Sequence, residues 1–297
     1  MNLLEFGILE LEFCSIIARN KINYLKPSFH IKPETEYNPA NSILLMIAGK
    51  RHCSFAIMNY LSKELVEFGY YTSTEDENEY KNFFEGIESL NNRYYQTAIG
   101  YDANESVQIP SAVYKYEEGQ LNLDVLYGKT VNTTVVSENV PDWNLYNVYR
   151  LPSSLHSAIS WKFLSAKSWS IYSVLLKDHS SKNDETMIID FKTDEFSLVA
   201  LKNNKLLLAK TFMYTSPEDV LYYLLKSCQQ LNLSQQTVKL SLAGLIEKDS
   251  AVYRELYKYF INLEFESLSA DVKLAEALTV HPDHYFSSIS KLAACVL

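Results

Sequence analysis

The stretch Tyr71-Thr72-Ser73-x-Glu75-Asp76 recurs as Tyr214-Thr215-Ser216-x-Glu218-Asp219, at an offset of 214 − 71 = 143. The same offset lays Met187–Phe191 on Leu44–Ala48 and Ser197 on Ser54, with no gap between, so an apolar pattern of more than thirty residues repeats around the hexapeptide. A repeat of this length constrains the fold more than any single residue does. Each copy must be a similar supersecondary unit, and a chain of 297 residues has room for two.

The periodicity inside each copy says which unit. In the second, Met187–Phe191, Phe196–Leu201 and Lys205–Met213 are short apolar runs, and Lys202-Asn203-Asn204 is a hairpin turn, so the three form a β-meander. Ile43–Ala48, Cys53–Met58 and Leu65–Tyr71 repeat it in the first. Both copies then switch to helical spacing: Val220, Leu221, Leu224, Leu225 and Cys228 in one, Tyr80, Phe83, Phe84 and Ile87 in the other. The recurring hexapeptide marks that switch. Ser216 is a helix N-cap, Pro217 suits the first helical position, and Glu218 and Asp219 meet the positive end of the helix dipole. Ser73, Glu75 and Asp76 repeat the signal. Capping accounts for every residue type here, so these acids are read as caps and not as a catalytic carboxylate pair.

Further strands are expected at Gln96–Tyr101, Val107–Pro110, Val238–Leu245 and Leu263–Leu268, and a last helix at His284–Val296. Pro110–Tyr116 echoes the start of Asp249–Phe260, an expected amphipathic helix, and Ser153–Phe163, Lys167–Ser170 and Ile171–Lys177 close the first copy. The expected organisation is an N-terminal extension over 1–41, a first half over 42–177 with a piece inserted at about 117–151, and a second half over 185–297. Each half is a mixed five-stranded sheet flanked by helices.

Composition narrows the function classes. A formal charge of −9 argues against a broad basic face for nucleic acid. The apolar runs are too short to span a bilayer, and Met1–Phe13 carries three Glu and no basic start, so the expected location is the cytoplasm. The four cysteines are scattered without a CxxC pair and read as buried thiols. His281-Pro282-Asp283-His284 offers metal-capable side chains, but its spacing suits a loop leading into a helix, with Asp283 as its cap.

The stretches Asn147–Leu155, Asn203–Leu225, Ser241–Phe260 and His284–Ala293 resemble an uncharacterised family of Bacteroidetes proteins, a domain of unknown function grouped with the actin-like ATPases. The resemblance covers roughly Ser42 to the C-terminus. It implies the duplicated, ribonuclease-H-like α/β fold, but no established activity. In actin-like ATPases the turn between the first two strands of each half grips the nucleotide phosphates. That needs glycines, so that backbone N–H groups approach the anion, and an Asp at the first strand's end to organise Mg²⁺. Here the first turn is Gly49-Lys50-Arg51-His52, following Ile47-Ala48 with no carboxylate. In the second, Asp190 stands at the family's Asp position, followed by bulky Phe191, Lys192, Thr193 and the acidic pair Asp194-Glu195, which would repel phosphate. On the adenosine side Gly244 stands alone. The whole chain has only 8 Gly, less than half the usual share of about 7%.

With each phosphate motif broken, the sequence reads as a non-catalytic scaffold of actin-like fold with a degenerate nucleotide site, no cofactor and an unidentified protein partner. The alternative is a divergent ATP-binding protein using ATP and Mg²⁺, in which Gly49, Lys50, Arg51, Asp190, Lys192, Thr193 and Gly244 hold the nucleotide.

Overall fold

The computed structural model describes residues 25–33, 36–73, 79–177, 185–269 and 271–297. After β1 (Lys26–Ile31) come β2 (Ser42–Gly49), β3 (His52–Asn59), β4 (Glu64–Thr72), helix α1 (Glu79–Gly86) and β5 (Gln96–Asp102). A separate piece follows: β6 (Glu105–Pro110), α2 (Gly119–Tyr127), β7 (Thr133–Val140) and β8 (Leu145–Pro152). Then α3 (Ser153–Lys162), β9 (Lys167–Ser170) and α4 (Ile171–Leu175) close the first half. The second half runs β10 (Thr186–Phe191), β11 (Glu195–Lys202), β12 (Lys205–Met213), α5 (Pro217–Leu231), β13 (Lys239–Gly244), α6 (Ala251–Tyr257), β14 (Asn262–Phe265), β15 (Lys273–Leu274) and α7 (Ser287–Ala293).

The two main sheets share a plan. One has the order β4-β3-β2-β5-β9 at its centre and the other β12-β11-β10-β13-β14, antiparallel through each meander and parallel beyond it. Register repeats as well. Ile43 pairs with Met58 and Gln96, and Thr186 pairs with Leu201 and Lys239, all three positions related by the sequence offset. Even the bulge between β3 and β4, at Ile57/Met58, recurs between β11 and β12 at Ala200/Leu201.

Three differences from the sequence reading have physical causes. First, the offset is not constant. His52 pairs with Thr72 but Glu195 pairs with Met213, so the third strands are related by an offset of 213 − 72 = 141. The turn before β12 is only Asn203-Asn204, both at positive φ, whereas residues 60–63 separate β3 from β4. The two hexapeptides are therefore out of register by two positions. Second, the first sheet has seven strands, because β1 and β15 both pair with β4. Third, Val107–Pro110 lies in β6 of a three-stranded sheet, order β6-β8-β7, so the separate piece starts at Glu105 and not near 117. Pro110–Tyr116 forms 3-10 turns; the helix that corresponds to α6 in order is α3.

β2 is buried along its whole length because both faces are covered, which hides its period of two. Leu44, Met46 and Ala48 pack with α1 and α3, while Ile43, Leu45 and Ile47 pack with α4 and α7. That second cluster also takes Ile188, Val199 and Ala209 from the other sheet, so the halves share one core. Among the described residues no helix is long and apolar enough to cross a membrane.

Ser216 caps α5 as expected. Its Oγ accepts from Asp219 N–H at 3.3 Å, Asp219 accepts from Ser216 N–H at 3.0 Å, and Pro217 takes the first helical position. Ser73 meets the carboxylate of Glu79; Glu75 and Asp76 lie outside the described residues.

Candidate functional site

The turns β2–β3 and β10–β11 lie against each other. Their side chains are joined to one another. The Arg51 guanidinium donates to Asp194, with Nε to Oδ2 at 3.0 Å. His52 Nδ1 lies 3.4 Å from Glu195 Oε1, and its Nε2 lies 3.3 Å from Asp102 Oδ2 at the end of β5. Both pairs, 51 with 194 and 52 with 195, join positions 143 apart.

Lys192 fills the centre. Its ammonium lies 2.7 Å from Asp102 Oδ2 and 3.4 Å from Asp190 Oδ2, and it donates to Ser197 Oγ at 2.6 Å. Asn104 donates to Glu195 at 2.8 Å, and a hydroxyl chain joins Ser197, Thr211 and Tyr172 at 2.8 and 2.9 Å. His52, Asp102, Asp190, Lys192 and Glu195 are all buried. Burial alone would lower the His52 pKa; the Asp102 and Glu195 carboxylates beside the ring outweigh it and push it up to about 9. Burial alone would raise Asp102, but the Lys192 ammonium and the His52 ring hold it well below the usual carboxylate range. The same carboxylates, against burial, hold Lys192 in its charged form.

Several of the residues expected at a nucleotide site make contacts within the fold. A methyl at Gly49 would lie 2.8 Å from Asp102 O, so this glycine admits the end of β5. Gly244, at φ +76°, lets β13 pass the turn: a Cβ there would lie 2.1 Å from Phe191 O. Lys192 N donates to Glu195 O at 2.9 Å, closing its own turn. Tyr80 donates to Gly49 O at 2.6 Å and Tyr214 to Lys192 O at 2.9 Å, so a phenol plugs each turn at the corresponding carbonyl. Arg51 is held by Asp194, Asp190 faces Lys192, and Lys50 and Thr193 are exposed at the turn tips. Asp194 and Glu195, read from sequence as repelling phosphate, neutralise Arg51 and His52. One cavity of about 30 Å³ lies beside His52, Tyr70, Asp190, Lys192 and Gly244.

His52, Asp102 and Glu195 bring potential ligand atoms within 4.8 Å of one another. Positive charge already lies at this set: the Lys192 ammonium is 2.7 Å from Asp102 Oδ2, and the two His52 nitrogens face Asp102 and Glu195. The loop at His281–His284 is structural too: His284 Nε2 meets Ile246 O at 2.7 Å, and His281 stacks with Phe29. Asp283 begins a 3-10 turn without capping it through its side chain.

His52, Asp102, Asn104, Ser197 and Thr211 escaped the sequence reading. One signal was present. The offset of 143 carries Arg51-His52 onto Asp194-Glu195, reversing the charge at both positions.

No curated protein matches the sequence. Two solved structures show the fold. A Bacteroides thetaiotaomicron protein with actin-like ATPase fold and unknown function superposes with a TM-score of 0.71 at 19% identity, covering 86% of this chain and 96% of that one. The PilM–PilN type IV pilus biogenesis complex gives 0.54 at 10% identity, over 86% and 99%. The fold is thus that of the actin-like ATPases. The profile of the family described as protein of unknown function (DUF3822) matches residues 32–263, most of the chain, and the chain belongs to that family.

Proposed function

We propose that this chain is a non-catalytic, cytoplasmic protein-binding scaffold, built from two copies of one unit, whose nucleotide site is degenerate and closed by its own side chains. The observation that carries this reading is Lys192, buried between Asp102 and Asp190 where the two turns meet. An ammonium there, with the Arg51–Asp194 and His52–Glu195 contacts, takes the place that phosphates and a divalent cation need. Size supports the same conclusion. The cavity beside Lys192, about 30 Å³, has room for about one water, against roughly 300 Å³ or more for a small-molecule pocket. The common strand register of the two meanders supports the duplication.

Isothermal titration with Mg·ATP tests this reading. The expected result is no binding tighter than about 1 mM and no phosphate release. A micromolar Kd that weakens with Lys50→Ala or Asp190→Ala would replace it with a divergent ATP-binding protein.

A further inference from the structure

β12 ends the second sheet, and among the described residues no strand pairs with its outer side. Its counterpart β4 is covered on that side. β1 pairs antiparallel with Phe68–Thr72, and β15 pairs parallel with Glu64 and Leu65. Through the common register these stretches correspond to Ala209–Met213 and to Lys205 and Leu206. A bulge is one way a sheet edge is guarded against pairing. β4 has the same bulge and is covered on either side of it, so in this fold the bulge does not prevent pairing.

The open edge borders a cavity of about 540 Å³. The consecutive residues Asn204–Ala209 line it. Successive side chains of a strand point to opposite faces, so a cavity lined by an unbroken run lies along the strand's edge, against its backbone. Gln108, Pro110, Trp143, Asn144 and Leu145 line the rest of it, Trp143 and Leu145 giving it an apolar part. Lys205 is exposed at the mouth and Lys210 follows along the strand, against one carboxylate, Asp142, across the gap.

We propose that this groove binds an extended, acidic peptide segment of a partner protein. The segment pairs antiparallel with β12 as β1 pairs with β4, sets an apolar side chain against Trp143 and brings a carboxylate to Lys205. The proposal rests on the scaffold reading and names its partner's chemistry; it fails separately, since nucleotide titration does not report on β12.

Amide hydrogen exchange on the full chain, with peptides selected from a random dodecapeptide phage library as probes, tests it. In the free chain the outward amides of β12 should exchange about tenfold or more faster than those of β4. Selected peptides should alternate apolar and acidic residues, bind with micromolar Kd and slow those amides about tenfold. Binding should weaken about fivefold or more with Lys205→Glu, and likewise when alternate peptide amides are N-methylated. Trp143→Ala is the second variant, and it should weaken binding as well. Failure to enrich any peptide, protection elsewhere, or indifference to N-methylation would overturn the proposal. Slow β12 amides in the free chain would overturn it too: sedimentation as a monomer would then assign the edge to this chain's own N-terminal segment, and as a dimer to a second copy.

Discussion

An imidazole buried between two carboxylates keeps its proton well above the pH at which it would lose it in water, and His52 is such a group. Its folded-state pKa, about 9, lies above the ordinary value of 6.5. The stability it contributes is therefore complete below about pH 6.5 and lost as pH rises through about 9. At about 1.4 kcal/mol per unit, this is on the order of 3 kcal/mol. Urea unfolding between pH 6.5 and 9.5 should show that decline, and His52→Gln should flatten it; a parallel slope in the variant would remove His52 as the source. Ser216→Ala should cost about 1 kcal/mol by the same measurement, through loss of the cap on α5. The two residues differ in legibility. Ser216 caps the helix that starts immediately after it, so local sequence suffices. His52 finds its partners far along the chain, at Asp102 and Glu195, and nothing near it in sequence announces burial.

Strands and helices were legible where one period governs them. Lys205–Met213 is β12 to the residue, and the other meander strands agree within a residue or so at their ends. What failed was assignment to a sheet. Val107–Pro110 is a strand, but which sheet a strand joins depends on distant partners, and β6 pairs with β8. Turn length misled as well: the hexapeptide echo is out of register because the loop before β12 is shorter than the loop before β4. The turns also explain why a chain poor in glycine keeps Gly244. Its left-handed conformation and contact with Phe191 O leave no place for a side chain. Gly244→Ala should therefore destabilise by more than about 1 kcal/mol. Gly128 is also at positive φ, but a methyl there would meet nothing within 4 Å, so its change to Ala should cost less. Thermal melts of the two variants compare them directly; equal losses would mean that φ alone, and not the contact with Phe191, sets the cost.

The two halves meet around a shared core and a buried set of charges. Lys192 lies at the centre of that set, and its removal would take the ammonium from both Asp190 and Asp102, leaving Asp102 with His52 alone. Breaking a buried pair on one side costs about 3–5 kcal/mol, because the remaining charge stays in a desolvated place. Lys192→Met should lose about that much in urea unfolding. Asp102→Asn introduced into Lys192→Met removes one of the two carboxylates that lost the ammonium. The double variant should thus lose less than the sum of the single losses, by about 1 kcal/mol or more. Arg51→Ala breaks a half-exposed pair with Asp194, where water screens the charges, and should cost less than about 1 kcal/mol. The ranking is the test: if Arg51→Ala proved as costly as Lys192→Met, the halves would be held at the rim of the cleft. If the order holds, the centre holds them, and small-angle scattering of the wild-type chain should give the same radius of gyration with and without Mg·ATP.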